Sequence, residues 1–347
     1  MTQATLETQV PPAKPATAPL LEIKELRKYF PIQRGFLKRT VGFVKAVDNV
    51  NLEVQPGETL GVVGESGSGK TTLGRTLLRL YEPTAGEVSL RVDGETLDVT
   101  RLDGKDMHQL RRNAQMIFQD PYASLNPRMT VLETVGEPLL VNHLAKGREL
   151  EERVREVILQ VGLRVEHLRR YPHSFSGGQR QRIGIARALV VRPRLVVADE
   201  PVSALDVSVQ AQTLNLLKDL QAEYNLTYMF ITHAMNVVRY MCDRIAVMYA
   251  GKLVELGTKT QVMISPRHPY TEALLSSVPR TTSKSRKRIV STGEVPDLGN
   301  LPSGCVFHPR CKYAIDRCRT EVPELRKLDD GRLVSCHLAE ELKLNGI

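Results

Sequence analysis

Positions 64–71, "GESGSGKT", fit the spacing G-x-x-x-x-G-K-[ST], which belongs to loops that cradle phosphates. Gly64, Gly67 and Gly69 allow the backbone to turn tightly, so that successive N–H groups and a helix N-terminus face a polyphosphate. Ser66, Ser68 and Thr72 lie in the same cradle. Lys70 is placed to reach the β- and γ-phosphates, and the Thr71 hydroxyl to bind Mg²⁺. Farther along, "LVVADE" (195–200) ends an apolar run in two carboxylates. Asp199 suits Mg²⁺ held through water, and Glu200 suits polarising an attacking water. A separate chemistry sits near the C-terminus, where Cys305, Cys311, Cys318 and Cys336 follow one another as C-x5-C-x6-C-x17-C.

These groups need a scaffold. From about residue 22, short β-rich runs alternate with helical stretches, the pattern of a mainly parallel sheet covered by helices. "TLGVVG" (59–64), "RLVVA" (194–198) and "TYMFIT" (227–232) read as buried strands, and 71–80 as the helix that follows the phosphate loop. The stretch 149–163 places Val154, Val157, Ile158 and Val161 on one helical face, and 208–224 does the same with Leu214, Leu217 and Leu220. The region from about 120 to 190 is the most helical, and 244–257 reads as a strand and hairpin. There is no internal repeat.

The chain has 347 residues, 41% hydrophobic and 25% charged, enough for one large domain and a smaller one. Residues 1–20, rich in Ala, Pro and Thr, read as a disordered tail, without the apolar core of a signal peptide. No apolar run approaches the roughly 18 residues of a membrane span. The net charge of +9 is spread along the chain. One local cluster, Arg280, Lys284, Arg286, Lys287 and Arg288, reads as a solvated linker rather than a nucleic-acid surface. Without a secretory signal, the thiols are expected in a reducing compartment, where clustered Cys point to metal or redox chemistry. Cys242 stands apart and reads as a buried core thiol.

The most diagnostic stretch is "SFSGGQRQRIGIARAL" (174–189). Ser176, Gly177, Gly178 and Gln179 open a helix and make a second anion-binding N-terminus, which suits the nucleotide of another subunit. With the phosphate loop and the acidic strand end, this segment resembles the ATP-binding-cassette (ABC) ATPase family over residues 22–268. In that family it is the signature motif, with Phe175 here in the place of the usual Leu. The resemblance implies further roles. Gln119 in "MIFQDPYASLNPRMT" matches the loop glutamine that senses Mg²⁺ and water and links to the membrane partner. Asp206 in "SALD" matches the loop that couples two ATP sites. His233 in "ITHA" matches the switch histidine that contacts the γ-phosphate and orients Glu200, with Ala234 where the family commonly has Asp. "LRKYF" matches the segment whose aromatic stacks on adenine, with Phe30 favoured by position and Tyr29 the alternative. The implied fold is an α/β P-loop core, mainly parallel, with an antiparallel β subdomain, an α-helical signature subdomain at about 120–190 and a small Cys-rich C-terminal extension.

Lys70 and Ser176 are 106 residues apart, without the long coiled coil of chromosome-maintenance ATPases, and the chain carries one cassette where translation factors generally carry two. Excision-repair ATPases insert Cys-x-x-Cys modules inside the cassette, whereas these cysteines follow it. "SPRHPYTEALLSSVP" (265–279), "GCVFHPRCKYAIDRC" (304–318) and "SCH" (335–337) resemble the C-terminal extension, here 269–347, of ATPase subunits of bacterial dipeptide and oligopeptide importers. "FQDPYASLNPRMTV" resembles the second ATPase of such a pair. The resemblance implies a [4Fe–4S] cluster on the four tail cysteines. By donor chemistry, tetrahedral Zn²⁺ and unligated thiols stand beside it as alternatives. It also implies a sister ATPase as heterodimer partner, two transmembrane permease subunits, an extracytoplasmic peptide-binding protein and no nucleic acid. The expected place is the cytoplasmic face of the bacterial inner membrane. Nickel and other small-solute importers share the resemblance, so the solute stays open.

Overall fold

The structure, a computed structural model, describes residues 18–36, 38–277 and 296–347. The basic cluster at 280–288 and most of the expected N-terminal tail lie outside the described residues. Leu20, read from sequence as tail, is instead buried and its N–H bonds to Val54. Its side chain joins the apolar cluster beneath the first strand.

An eight-stranded sheet forms the centre. Five of its strands run parallel: β3 (Thr59–Val63), β6 (Ala114–Ile117), β7 (Leu195–Asp199), β8 (Thr227–Thr232) and β9 (Arg244–Tyr249), in spatial order β9-β3-β8-β7-β6. Strands β7 and β8 are apolar without alternation because both of their faces are covered. Val196, Ala198, Tyr228 and Phe230 enter one core, and Leu195, Val197, Met229 and Ile231 enter the other. A second, antiparallel sheet joins β1 (Leu21–Arg34), β2 (Arg39–Val54), β4 (Ala85–Val92) and β5 (Glu95–Asp98) in the order β2-β1-β4-β5.

The helices are α1 (Lys70–Leu77), α2 (Met107–Asn113), α3 (Val131–Val141), α4 (Gly147–Gln160), α5 (Gly177–Leu189), α6 (Val207–Tyr224), α7 (Met235–Met241), α8 (Lys259–Ile264), α9 (Pro269–Ser276) and α10 (Asp316–Thr320). The expected faces are buried: Val154, Val157 and Ile158 on α4, and Leu214, Leu217 and Leu220 on α6. Between residues 120 and 190, α3, α4 and α5 pack on one another as a helical layer. Cys242 is fully buried, beneath Gly61, where an added Cβ would approach its Sγ to 2.7 Å.

The C-terminal segment does not stand apart. Strand β10 (Lys252–Thr258) turns back on β9, and β12 (Leu333–Val334) adds to the far side of β10, pairing Glu255 with Val334 and Leu256 with Leu333. Strand β11 (Arg326–Lys327) closes the edge. Residues beyond the expected boundary at 268 therefore extend the central sheet, because β10 would otherwise leave an unpaired edge.

Candidate nucleotide site

Parallel pairing brings the chemistry together. Val63 pairs with Thr232, Asp199 with Ile231 and Ile117 with Ala198, so four strands end at one edge of the sheet. The residues that follow are Gly64, His233, Glu200 and, two past β6, Gln119. The carboxyl edge of a parallel sheet is where such folds hold ligands.

The loop from β3 to α1 is closed by its own backbone and by Lys70. The Lys70 ammonium donates to the carbonyls of Gly64 and Glu65, each at 2.8 Å, and to Ser68 Oγ at 3.3 Å. Burial pulls the Lys70 pKa down, against the pull of nearby Glu200, Asp199 and Glu65. Gly69 has φ 101°, and an added Cβ there would fall 2.0 Å from the Ala46 carbonyl oxygen. Gly64 is as confined, 2.2 Å from the Met248 carbonyl oxygen on the same test. Only glycine fits at both positions.

Thr71 Oγ1 donates to Asp199 Oδ1 at 2.8 Å, while Asp199 Oδ2 is buried with no hydrogen-bond partner. Burial raises the Asp199 pKa. An orphaned buried carboxylate oxygen beside a hydroxyl is a donor set that fits Mg²⁺. Glu200, held at φ 46° with its N–H on the Ile231 carbonyl, is the hub of the edge. Its Oε1 meets His233 Nδ1 at 2.9 Å, and its Oε2 accepts from Gln119 Nε2 at 3.1 Å.

The signature residues sit elsewhere on the chain, at the start of α5. Ser176 Oγ accepts from the Gln179 N–H at 3.3 Å and Gln179 Oε1 from the Ser176 N–H at 3.1 Å, a reciprocal cap. Gly178 lies under Val209, where an added Cβ would come to 2.6 Å of its Cγ1. Asp206 occupies the N-cap of α6 without a side-chain cap bond. Ala234 occupies the N-cap of α7 and has no side-chain acceptor to offer. Phe30 packs edge-on against Tyr81 at 5.4 Å, whereas the Tyr29 hydroxyl donates to Asp48 Oδ1 at 2.5 Å.

Cys305, Cys311, Cys318 and Cys336 line one small cavity, with His268 and Phe307 among its other walls. All are unpaired thiols. Burial pushes Cys336 up to about 12 and Cys311 to about 11, and raises Cys305 as well. Among the described residues no three His, Cys, Asp or Glu side chains converge to hold a metal ion. The four cysteines thus face a shared space, and among the described residues the tetrahedron that a single Zn²⁺ needs is not formed.

Sequence reasoning missed a contact between this region and the phosphate loop. Arg310 reaches Glu65 with both guanidinium nitrogens, at 2.7 and 3.1 Å, and the Glu65 N–H donates to Tyr270 Oη at 2.7 Å. The one hint was an acidic residue inside a loop built for anions.

The ABC transporter family model matches residues 47–203, and the model described as oligopeptide/dipeptide transporter, C-terminal region, matches 254–318. The chain is 51% identical over 323 residues to the oligopeptide transport ATP-binding protein AppF of Bacillus subtilis (strain 168), covering 92% of this chain and 97% of that one. It is 48% identical over 323 residues to the di/tripeptide transport ATP-binding protein DppF of Pseudomonas aeruginosa (strain UCBPP-PA14), with 93% and 98% covered. Among solved structures, a dimeric ATP-binding cassette in a post-hydrolysis state bound to ADP and Pi superposes with a TM-score of 0.60 at 31% identity, covering 69% of this chain and 98% of that one.

Proposed function

The chain belongs to the ABC-transporter ATP-binding proteins of the oligopeptide and dipeptide class, and we propose that it is the ATP-hydrolysing motor of a peptide importer. The observation that carries this reading is the Glu200 hub, one carboxylate bonded to both Gln119 and His233 at the sheet edge that bears the phosphate loop.

Gly64 to Thr72 wrap the phosphates, with Lys70 leaving its carbonyl partners for the β- and γ-oxygens. Thr71 and Asp199 would hold Mg²⁺ with Gln119, and the ion would neutralise charge on the transferred phosphoryl group. Glu200 polarises the attacking water, and His233 fixes the carboxylate's direction while facing the γ-phosphate. Phe30 stacks on adenine. Ser176, Gly177, Gly178 and Gln179 cap the nucleotide of a second cassette, so two chains close on two ATP molecules and reopen after hydrolysis. Asp206 lies at the joint between them. The partners in this reading are a sister ATPase, two transmembrane subunits that dock beside Gln119, and a peptide-binding protein on the other side of the membrane. No helix among the described residues is long and apolar enough to cross a membrane, so attachment to the cytoplasmic face runs through those subunits.

The four tail cysteines would hold a [4Fe–4S] cluster once deprotonated, and the group would serve as a structural clip or redox-responsive element far in sequence from Glu200. The test of the motor is transport. In vesicles carrying the chain with its sister ATPase, permease subunits and binding protein, ATP should drive uptake of labelled di- and oligopeptides. Uptake of nickel without peptide would overturn the solute assignment, and ATP hydrolysis indifferent to the permease subunits would overturn the motor.

A further inference from the structure

Glu65 is an electrostatic anomaly, because a carboxylate in a phosphate-binding loop opposes the ligand that the loop exists to hold. It lies next to the catalytic machinery, since its own carbonyl accepts from the Lys70 ammonium at 2.8 Å. Its carboxylate is about two-thirds buried, its side chain being 31% exposed, so water screens it only in part.

The chain answers this charge from 245 residues away. Arg310 closes the short 3₁₀ turn His308–Arg310, between Cys305 and Cys311, and its side chain is 8% exposed. Its guanidinium grips Glu65 as a fork, Nη1 on Oε2 at 2.7 Å and Nη2 on Oε1 at 3.1 Å. Paired bonds of this kind fix direction as well as charge. The rest of the contact is built to hold the fork still. Nη1 also donates to Tyr249 Oη at 3.3 Å, and Tyr249, Tyr270 and Phe307 pack together with ring centroids 4.5 to 5.4 Å apart. Tyr270 then accepts the Glu65 backbone N–H at 2.7 Å, so the C-terminal segment holds both the main chain and the side chain of the loop's second residue.

We propose that Arg310 is a positioning residue for ATP binding, the counter-charge that lets the phosphate loop carry Glu65 without repelling the triphosphate. The turn between Cys305 and Cys311 thereby sets the loop's affinity, and the C-terminal segment is part of the nucleotide site. This rests on the reading of residues 64–71 as the phosphate loop.

The test is equilibrium ATP binding by the full-length chain, with the melting temperature of the ligand-free protein recorded for each variant. Arg310→Gln should weaken ATP binding about tenfold, the loss of one partly buried charge pair beside a polyanion. Arg310→Lys, which keeps the charge but loses the fork, should bind ATP between Arg310→Gln and wild type, less than about tenfold weaker than wild type. Adding Glu65→Gln to Arg310→Gln should recover most of the lost affinity, because the uncompensated charge is gone; a support that was only structural would give no recovery. Wild-type affinity in Arg310→Gln, or a double variant that binds no better than Arg310→Gln, overturns the proposal. If Arg310→Gln does not fold, Arg310→Lys decides: a folded Lys variant that loses ATP binding more than tenfold overturns the charge argument. Lys70→Ala is the control, since ATP binding retained there would sink the loop reading itself.

Discussion

Glu200 and His233 meet at 2.9 Å although 33 residues separate them, because β7 and β8 are parallel neighbours and each residue is the first past its strand. The second carboxylate oxygen is taken by Gln119 from the next strand along. Three strand ends thus hold one carboxylate from both sides, and its direction is set before substrate arrives.

Replacing that carboxylate should separate binding from turnover. Glu200→Gln keeps the size but turns one acceptor oxygen into a donor and removes the base, so ATP affinity should be kept while hydrolysis falls about 10²- to 10⁴-fold. Steady-state hydrolysis beside equilibrium binding checks it; more than a tenth of wild-type turnover would remove Glu200 from the chemistry.

Lys70→Ala should fail earlier, at binding. The ammonium is buried and spends its donors on Gly64 and Glu65 carbonyls, so it is poised to exchange them for phosphate oxygens. We expect ATP binding to fall below detection at micromolar concentrations in a calorimetric titration, with a melting temperature close to wild type.

The Tyr29, Asp48 and Lys252 chain gives a pH signature. Burial opposes ionisation of Asp48, but the Lys252 ammonium at 2.8 Å and the Tyr29 hydroxyl outweigh it and hold the carboxyl below its ordinary value. With the folded pKa depressed, its stabilisation is present above the unfolded value of about 3.9 and lost as pH falls through the lower folded one. Tyr29 is shifted the other way, up to about 12 by burial and then by the Asp48 bond, so its share is present below the usual tyrosine value and lost as pH rises toward about 12. Asp48→Asn should cost about 1–2 kcal/mol at neutral pH in denaturant unfolding. That deficit should shrink as pH falls below the unfolded value of about 3.9, and a deficit constant down to acid pH would contradict the assignment.

For the cysteines, protein purified without oxygen should carry about four irons and four sulfides per chain and absorb broadly near 400 nm. Replacing Cys311 and Cys318 together with Ser should abolish the iron while leaving ATP binding measurable. One zinc per chain and no colour would replace the cluster with a single-ion clip and require the thiols to move closer than the structure has them.

The cassette was legible because its parts are local. A glycine-rich loop after an apolar run, a strand ending in Asp199 and Glu200, and a Ser176 cap before α5 each write their chemistry within a few neighbouring residues, where backbone geometry is decided. Helices α4 and α6 were equally legible, since a buried face imposes a period on the sequence.

Sequence alone therefore determined the elements, and named the residues on them that are expected to bear the chemistry. Tertiary structure decided what those residues touch. Strand order brought Gln119, Glu200 and His233 to one point, the need to cover the β10 edge folded the C-terminal segment onto the central sheet, and the folding of that segment brought the four thiols around a common cavity. It also joined Glu65 to Arg310. Neither the order of strands in a sheet nor the partner of a buried charge leaves a periodic or local trace, because both depend on contacts between segments whose separation along the chain is set by loops.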